Sequence, residues 1–440
     1  LNHHVVTQII KPKLIVGSDE DTSIHWHGLL LPNRFDGVPG VNFPGVAPGE
    51  TFEVRFPVRQ YGTYWYHSHS GLQEQLGHYG PLIIDPAGPD PVGYDREHVV
   101  VLSDWTFEDP HDILANLKKG EGYYNFQKRT VVDFWKDASD EGFWDALKHR
   151  LGWKRMRMEP TDISDVTGAT YTFLMNGRAP DGNWTGLFQP GERVRLRFIN
   201  ASAATIFDVR IPGLEMEVVQ VSGQHVEPVR SDEFRIGVAE RYDVIVEPTE
   251  ERAHTVFAEA IDRSGYARGT LAPREGMEAP VPEPRERPLL TMADMGMMHG
   301  DVDGMDHGNM TMGAAAGAAA DSSMAGTGHA GMDHGGMHHG GTGHGGTGHG
   351  GTSRGGMAGG AAAASGNGLR PPGTLPEPVH HGPDGHGPGE AGTPMMTRSR
   401  LHEPGIGLGG DGRRVLTYTQ LKALDEKAEF RAPDREIELH

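Results

Sequence analysis

The sequence predicts an all-β fold of tandem Greek-key β-sandwiches, with a helical insertion in the second and a long disordered tract after it. Three observations carry that expectation. Short alternating or apolar runs recur between Gly and Pro turn signals across residues 1–290. A Pro-Gly-Glu turn followed by alternating residues occurs twice, at Pro48-Gly49-Glu50 and Pro190-Gly191-Glu192, about 140 residues apart, as a duplicated sandwich would give. From 267 to 417 there is no Phe, Trp or Tyr and glycine is dense, so this stretch cannot bury enough apolar surface to offset chain entropy.

In chain order, the first sandwich has expected strands at 51–58 (TFEVRFPV), 62–69 (GTYWYHSH) and 79–85 (YGPLIID). The second has them at 98–104, 171–176, 193–200, 216–222, 242–247 and 254–259. Between 110 and 158 the pattern changes: Phe134, Trp135, Phe143, Trp144 and Leu147 recur at helix-like spacing, which predicts one or two inserted helices. The expected divisions are 1–92, 93–290, a Met/His/Gly-rich tract at 291–411, and 412–440 as the opening strands of a further sandwich that the chain does not complete. The first residue is Leu1, and 1–13 does not read as opening strands or a signal peptide, so a fragment or processed form is expected.

Composition narrows the chemistry. Forty basic against sixty acidic side chains give a net charge of −20, which argues against a nucleic-acid partner. There is no cysteine, which excludes disulfides, cysteine nucleophiles, iron–sulfur clusters and every copper site built on a thiolate. No stretch approaches the roughly 20 apolar residues of a membrane span. The 25 histidines and 18 methionines are the surplus to be explained.

Two motifs concentrate histidine: Ile24-His25-Trp26-His27-Gly28 and Trp65-Tyr66-His67-Ser68-His69. In a strand, residues i and i+2 share a face about 6.6 Å apart, so each pair can grip one metal ion or two neighbouring ones. Imidazole suits copper, zinc, iron and nickel. The alternative is a set of satisfied surface histidines, since chance alone supplies about half an HxH match in the globular part. The flanks favour metal: both motifs adjoin Trp, both close a β run, and both lie in one small domain. The isolated His78, His98, His225 and His254 read as structural, and His3 and His4 as part of a disordered end. No GxSxG motif or triad pattern is present.

HWHG followed about 40 residues on by YWYHSH and then GPLII resembles the first domain of the multicopper oxidases. The stretches DEDTSIHWHGLLLPNRFDGVPGVNFPGVAPGETF (19–52) and FLMNGRAPDGNWTGLFQPGERVRLRFINASA (173–203), with the Met/His-rich segment, resemble the copper-resistance (CopA/PcoA) members. The resemblance spans about 14–440. It implies cupredoxin-like sandwiches, a periplasmic location, and a trinuclear copper cluster that reduces O2 to water with Cu(I) or a phenol as reductant. It implies His25 as a type-2 copper ligand and His27, His67 and His69 as type-3 ligands. The family has four HxH motifs where this chain has two. The missing pair belongs to the last cupredoxin domain, which also brings the Cys, His and Met of the type-1 copper site.

The tract holds Met292, Met295, Met297, Met298, His299, Met305, His307, Met310 and Met312, then Met332, His334, Met337, His338 and His339. Thioether suits Cu(I), and His with Asp suits Cu(II). A plain tether gains nothing from easily oxidised methionine, so copper gathering is expected here, with a passive linker as the alternative. Two functional readings follow. One is a copper-resistance oxidase, of which this chain carries four of eight cluster ligands and is inactive alone. The other is a non-catalytic copper-sequestering protein.

Overall fold

The computed structural model describes residues 20–291, 294 and 400–424. The Met/His residues named above, from Met292 to His339, lie outside the described residues, as do 1–19 and 425–440.

The first region forms a three-stranded antiparallel sheet in the order β1 (His25–His27), β2 (Gly62–His67), β3 (Tyr79–Ile84). Much of the rest of it is turns and isolated bridges, such as Thr22 with Val46. The strand expected at 51–58 is reduced to a single bridge residue, Val54. The expected run at 62–69 ends as a strand at His67, so His69 lies beyond it.

The second region is a two-sheet sandwich. Its strands are β4 (Arg96–Trp105), β5 (Thr172–Met175), β6 (Trp184–Leu187), β7 (Val194–Asn200), β8 (Phe207–Arg210), β9 (Met216–Val221), β10 (Gln224–Ser231), β11 (Glu233–Ile236), β12 (Arg241–Val246), β13 (His254–Ala260) and β14 (Tyr266–Ala272). One sheet runs β10-β9-β12-β7-β4-β5 and the other β11-β8-β13-β14-β6. Pairing is antiparallel except β4 with β7 and β14 with β6, where the chain crosses between non-neighbouring strands. Alternation aims Val194, Leu196 and Phe198 of β7 and Tyr242, Val244 and Val246 of β12 into a buried core shared with Phe207, Val209, Phe234 and Val256.

Between β4 and β5 the chain inserts three helices, α1 (Pro110–Leu117), α2 (Val131–Asp140) and α3 (Phe143–Arg155), where one or two were expected. Asp109 caps α1, accepting from the His111 N–H. A Thr130–Asp133 capping box opens α2. The aromatic stretch itself is divided at Gly142, whose φ of +99° separates α2 from α3.

β7 and β12 also bury their other faces. Arg195, Arg197 and Asp243 point away from the core and are covered by the first region. Asp243 Oδ2 accepts from Arg195 (2.6 Å), Arg197 (2.9 Å) and the Thr63 hydroxyl of β2 (2.9 Å). The Thr63 N–H donates to Gln220 Oε1 on β9 at 2.9 Å. Beside this polar patch Trp65 packs on Ile199 and Ala201. The small sheet therefore leans on the outer face of the sandwich.

Of the final segment, Val415 bridges Glu233, Ala423 bridges Val226, and 418–420 is a 3-10 turn. Leu416 packs on the sandwich core. Asp294 and Arg400 form an ion pair. Among the described residues no helix is long and apolar enough to cross a membrane.

Candidate metal centre

The register of the first sheet builds the site. His25 stands opposite His67, and His27 opposite Trp65. Directly opposed residues share a face, and so do His25 and His27 by period two. One face of two strands thus carries His25, His27, Trp65 and His67. His69 joins them from the turn after β2, where its N–H donates to Ser23 Oγ at 2.8 Å and the Ser70 hydroxyl donates to the same oxygen at 3.0 Å.

All four imidazoles meet. Ring centroids lie 4.5 Å apart for His25–His69, 4.9 Å for His67–His69, 5.3 Å for His25–His27, and 5.4 Å for both His25–His67 and His27–His67. Trp65 stacks on His67 at 4.3 Å and on His27 at 5.2 Å, forming an aromatic wall beneath the cluster. One ligand nitrogen each from His25, His67 and His69 lies within 4.8 Å of the others. His67 is buried and His69 exposed, so the cluster opens to solvent at one end.

Supports come from residues that the motifs do not contain. His25 Nδ1 donates to the Asp36 carbonyl at 2.7 Å, with the Asp36 carboxylate 3.3 Å away, which leaves Nε2 free for a metal. That contact depends on Gly37. Its φ is +84°, and a Cβ there would sit 2.0 Å from the Ile24 carbonyl oxygen. Gly28, at φ +87°, plays the same part after the first motif, since a Cβ would fall 2.6 Å from the Arg241 guanidinium. Glu74 Oε2 lies 3.1 Å from His67 Nδ1, in ion-pair range, although that nitrogen makes no hydrogen bond of good geometry. His27 Nδ1 and His67 Nε2 share a hydrogen bond of 3.2 Å. The Asp36-Gly37 dipeptide is a readable turn signal, but nothing in the sequence ties it, Glu74 or Arg241 to histidines on other segments.

Electrostatics favour the neutral ring at His27 and His69. Burial, then Arg241 and the other three histidines, lower the His27 pKa to about 3. Burial, then His25 and His67, lower that of His69. Unprotonated imidazoles are what a metal requires.

The donor set fits copper. Three convergent imidazole nitrogens without a thiolate suit Cu, Zn or Ni, and the aromatic wall and buried His67 exclude water from one side. The isolated histidines have other partners: His78 faces Thr22 at 3.2 Å, His98 bonds the Leu187 carbonyl at 2.8 Å, His225 lies against Tyr61, and His254 against Phe188.

Residues 12–88 and 96–275 each match a multicopper oxidase family profile. Copper resistance protein A of Pseudomonas syringae pv. tomato is 58% identical over 422 residues, covering 96% of this chain and 67% of the relative. The chain belongs to the multicopper oxidase family. Copper resistance protein A of Escherichia coli is 51% identical, over 96% of this chain and 66% of that protein. The chain thus spans about two thirds of the length of these relatives. A crystal structure of Fet3p, described as a multicopper oxidase that functions in iron import, matches with 24% identity over 61% of this chain and 45% of that one, at a TM-score of 0.46. The family uses copper, and of the two regions described above the second is a two-sheet, cupredoxin-like sandwich. With no cysteine, a thiolate copper site cannot form within this multicopper oxidase chain.

Proposed function

We propose that this chain supplies His25, His27, His67 and His69 to a copper cluster of a copper-resistance oxidase. In its whole form, that protein oxidises Cu(I) or a phenolic substrate and reduces O2 to water. One observation carries the reading: three imidazoles from two paired strands and a fourth, His69, from the turn after them converge beside a Trp65 wall, and the ligand nitrogens of His25, His67 and His69 lie within 4.8 Å of one another. Bound copper would supply the one-electron chemistry that dioxygen reduction needs. The chain's own residues hold and prepare the site. Asp36 fixes the His25 ring, Ser23 fixes the backbone at His69, Glu74 stands behind His67, and burial keeps His27 unprotonated.

The resemblance divides the ligands as His25 for type-2 copper and the other three for the type-3 pair. The closest trio here is instead His25, His67 and His69, so occupancy by the first equivalent of metal is expected at that trio. We divide the two cupredoxin-like units near residue 92, assign copper gathering to the tract's methionines and histidines, and place the whole protein in the periplasm on the family resemblance. The test is oxygen uptake by the full gene product with Cu(I) or a phenol. Turnover that falls at least about a hundredfold in His27→Ala and His67→Ala supports the oxidase. Copper binding without oxygen uptake in the full product contradicts it.

A further inference from the structure

The helical insertion carries a surface that neither the sandwich nor the metal site uses. On α2, Val131 (73% exposed), Val132 (77%), Trp135 (61%) and Lys136 share the solvent side. On α3, Trp144 (70%), Lys148, Leu151 (47%) and Arg155 follow one another at i, i+4, i+7 and i+11, a single stripe opposite the buried Ala146 and Trp153. The two stripes are joined through Phe143, whose ring lies 6.2 Å from Trp135 and 5.2 Å from Trp144.

The exposed acidic side chains of these helices gather toward the turn between them, and most of the basic ones toward the C-terminal end of α3. Asp133 of α2 is consumed by the capping box, and Asp137 turns inward to Arg150 at 3.0 Å. Asp145 is paired with Lys148 at 3.7 Å, and the exposed Asp140 and Glu141 lie at the turn between the helices. Along the two stripes Trp, Val and Leu interleave with Lys136, Lys148 and Arg155, and exposed Lys154 and Arg157 stand beside the end of α3; exposed Asp140, Glu141 and Asp145 lie off the stripes, toward the turn between the helices. This apolar, basic face belongs to a protein whose net charge is −20, so it opposes the sign of the rest of the molecule.

We propose that the α2–α3 hairpin is a membrane-docking surface that seats the protein on an anionic lipid bilayer. Tryptophan at the headgroup level, aliphatic side chains just below it and lysine or arginine on the phosphates are the chemistry of interfacial helices. A neutral protein groove would match the apolar residues but not the basic ones. The charge complementarity decides for an anionic surface.

The test is co-sedimentation of the full chain with extruded vesicles, either equimolar phosphatidylglycerol and phosphatidylcholine or phosphatidylcholine alone. Partitioning onto the anionic vesicles at least about tenfold above the neutral ones is expected, weakening as salt is raised. Trp135→Ser/Trp144→Ser and Lys148→Glu/Arg155→Glu should each lower it about tenfold or more. Val41→Ser, at an exposed valine of the first region, should leave it unchanged. Unaltered circular dichroism of the variants establishes that they are folded. Equal partitioning onto both vesicle types, none onto either, or full retention in the double-Trp variant overturns the proposal. So does a concentration-dependent dimer in light scattering that the double-Trp variant abolishes while vesicles leave the wild type in solution.

Discussion

The first sheet and the second sandwich solve the problem of stability in different ways. The sandwich owns its core: Leu196, Phe198, Phe207, Phe234, Val244 and Val256 are fully buried between two sheets. The first region owns a smaller one, with Trp26 against Phe56 and Tyr66, and Phe43 against Phe52. Its central strand is buried, but Trp65 packs on Ile199 and Ala201 of the sandwich, and Thr63 is tied to Asp243 and Gln220. The histidines therefore stand on a platform whose rigidity is in part borrowed. Few apolar residues are spent near the cluster, which leaves room for the Ser23, Ser70 and Gln73 hydrogen bonds that set the backbone around it.

The largest effect should come from cutting the borrowed support. Asp243→Ala leaves Arg195 and Arg197 buried without their shared carboxylate and Thr63 without its acceptor. A loss of about 3–5 kcal/mol is expected, measured by urea unfolding. Copper affinity should fall with it, because the strand bearing His67 is anchored there. If stability drops while affinity holds, the first sheet is self-supporting and the comparison fails.

Gly37→Ala acts on the first sheet alone. It forces an L side chain to φ +84° and into the Ile24 carbonyl. A cost of about 2–4 kcal/mol is expected, with loosening of His25 visible as weaker copper binding in a chelator competition.

Acid should separate the two regions more gently. The folded His27 pKa of about 3 lies below the ordinary 6.5. Above pH 6.5 the imidazole is neutral in both states and its contribution is fully present. As pH falls towards 3 the unfolded chain takes up a proton that the folded chain refuses, so metal-free stability declines across that window. Urea midpoints between pH 7 and 4 should fall less steeply in His27→Gln than in the wild type; equal slopes would remove this role. Smallest of all, Arg274→Ala breaks an exposed pair with Glu251 and should change stability by less than about 0.5 kcal/mol.

What the sequence made legible follows the same division. The shared face of His25 and His27 was readable from period-two spacing on one strand, and His67 from its place on the neighbouring strand; the spacing does not account for His69, which enters from the turn after β2. The strands with apolar alternation, such as β7 and β12, were readable too. β10 was not, because Pro228 sits where its pairing with β9 shifts register. β14 (YARGTLA) lacks both alternation and β-branched density, and owes its state to pairing with β13 and β6. Asp36, Glu74 and Arg241 escaped for a different reason. Each reaches the histidines through folding of distant segments, and no local pattern records that.

The most direct measurement is anomalous diffraction at the copper edge from crystals of this chain soaked with one equivalent of Cu(II), for the wild type and His67→Ala. A copper peak coordinated by the His25, His67 and His69 rings, lost in His67→Ala, is the expected result. A wild type whose copper lies elsewhere, with these three rings unliganded, would contradict the assignment of the first sheet as the metal centre.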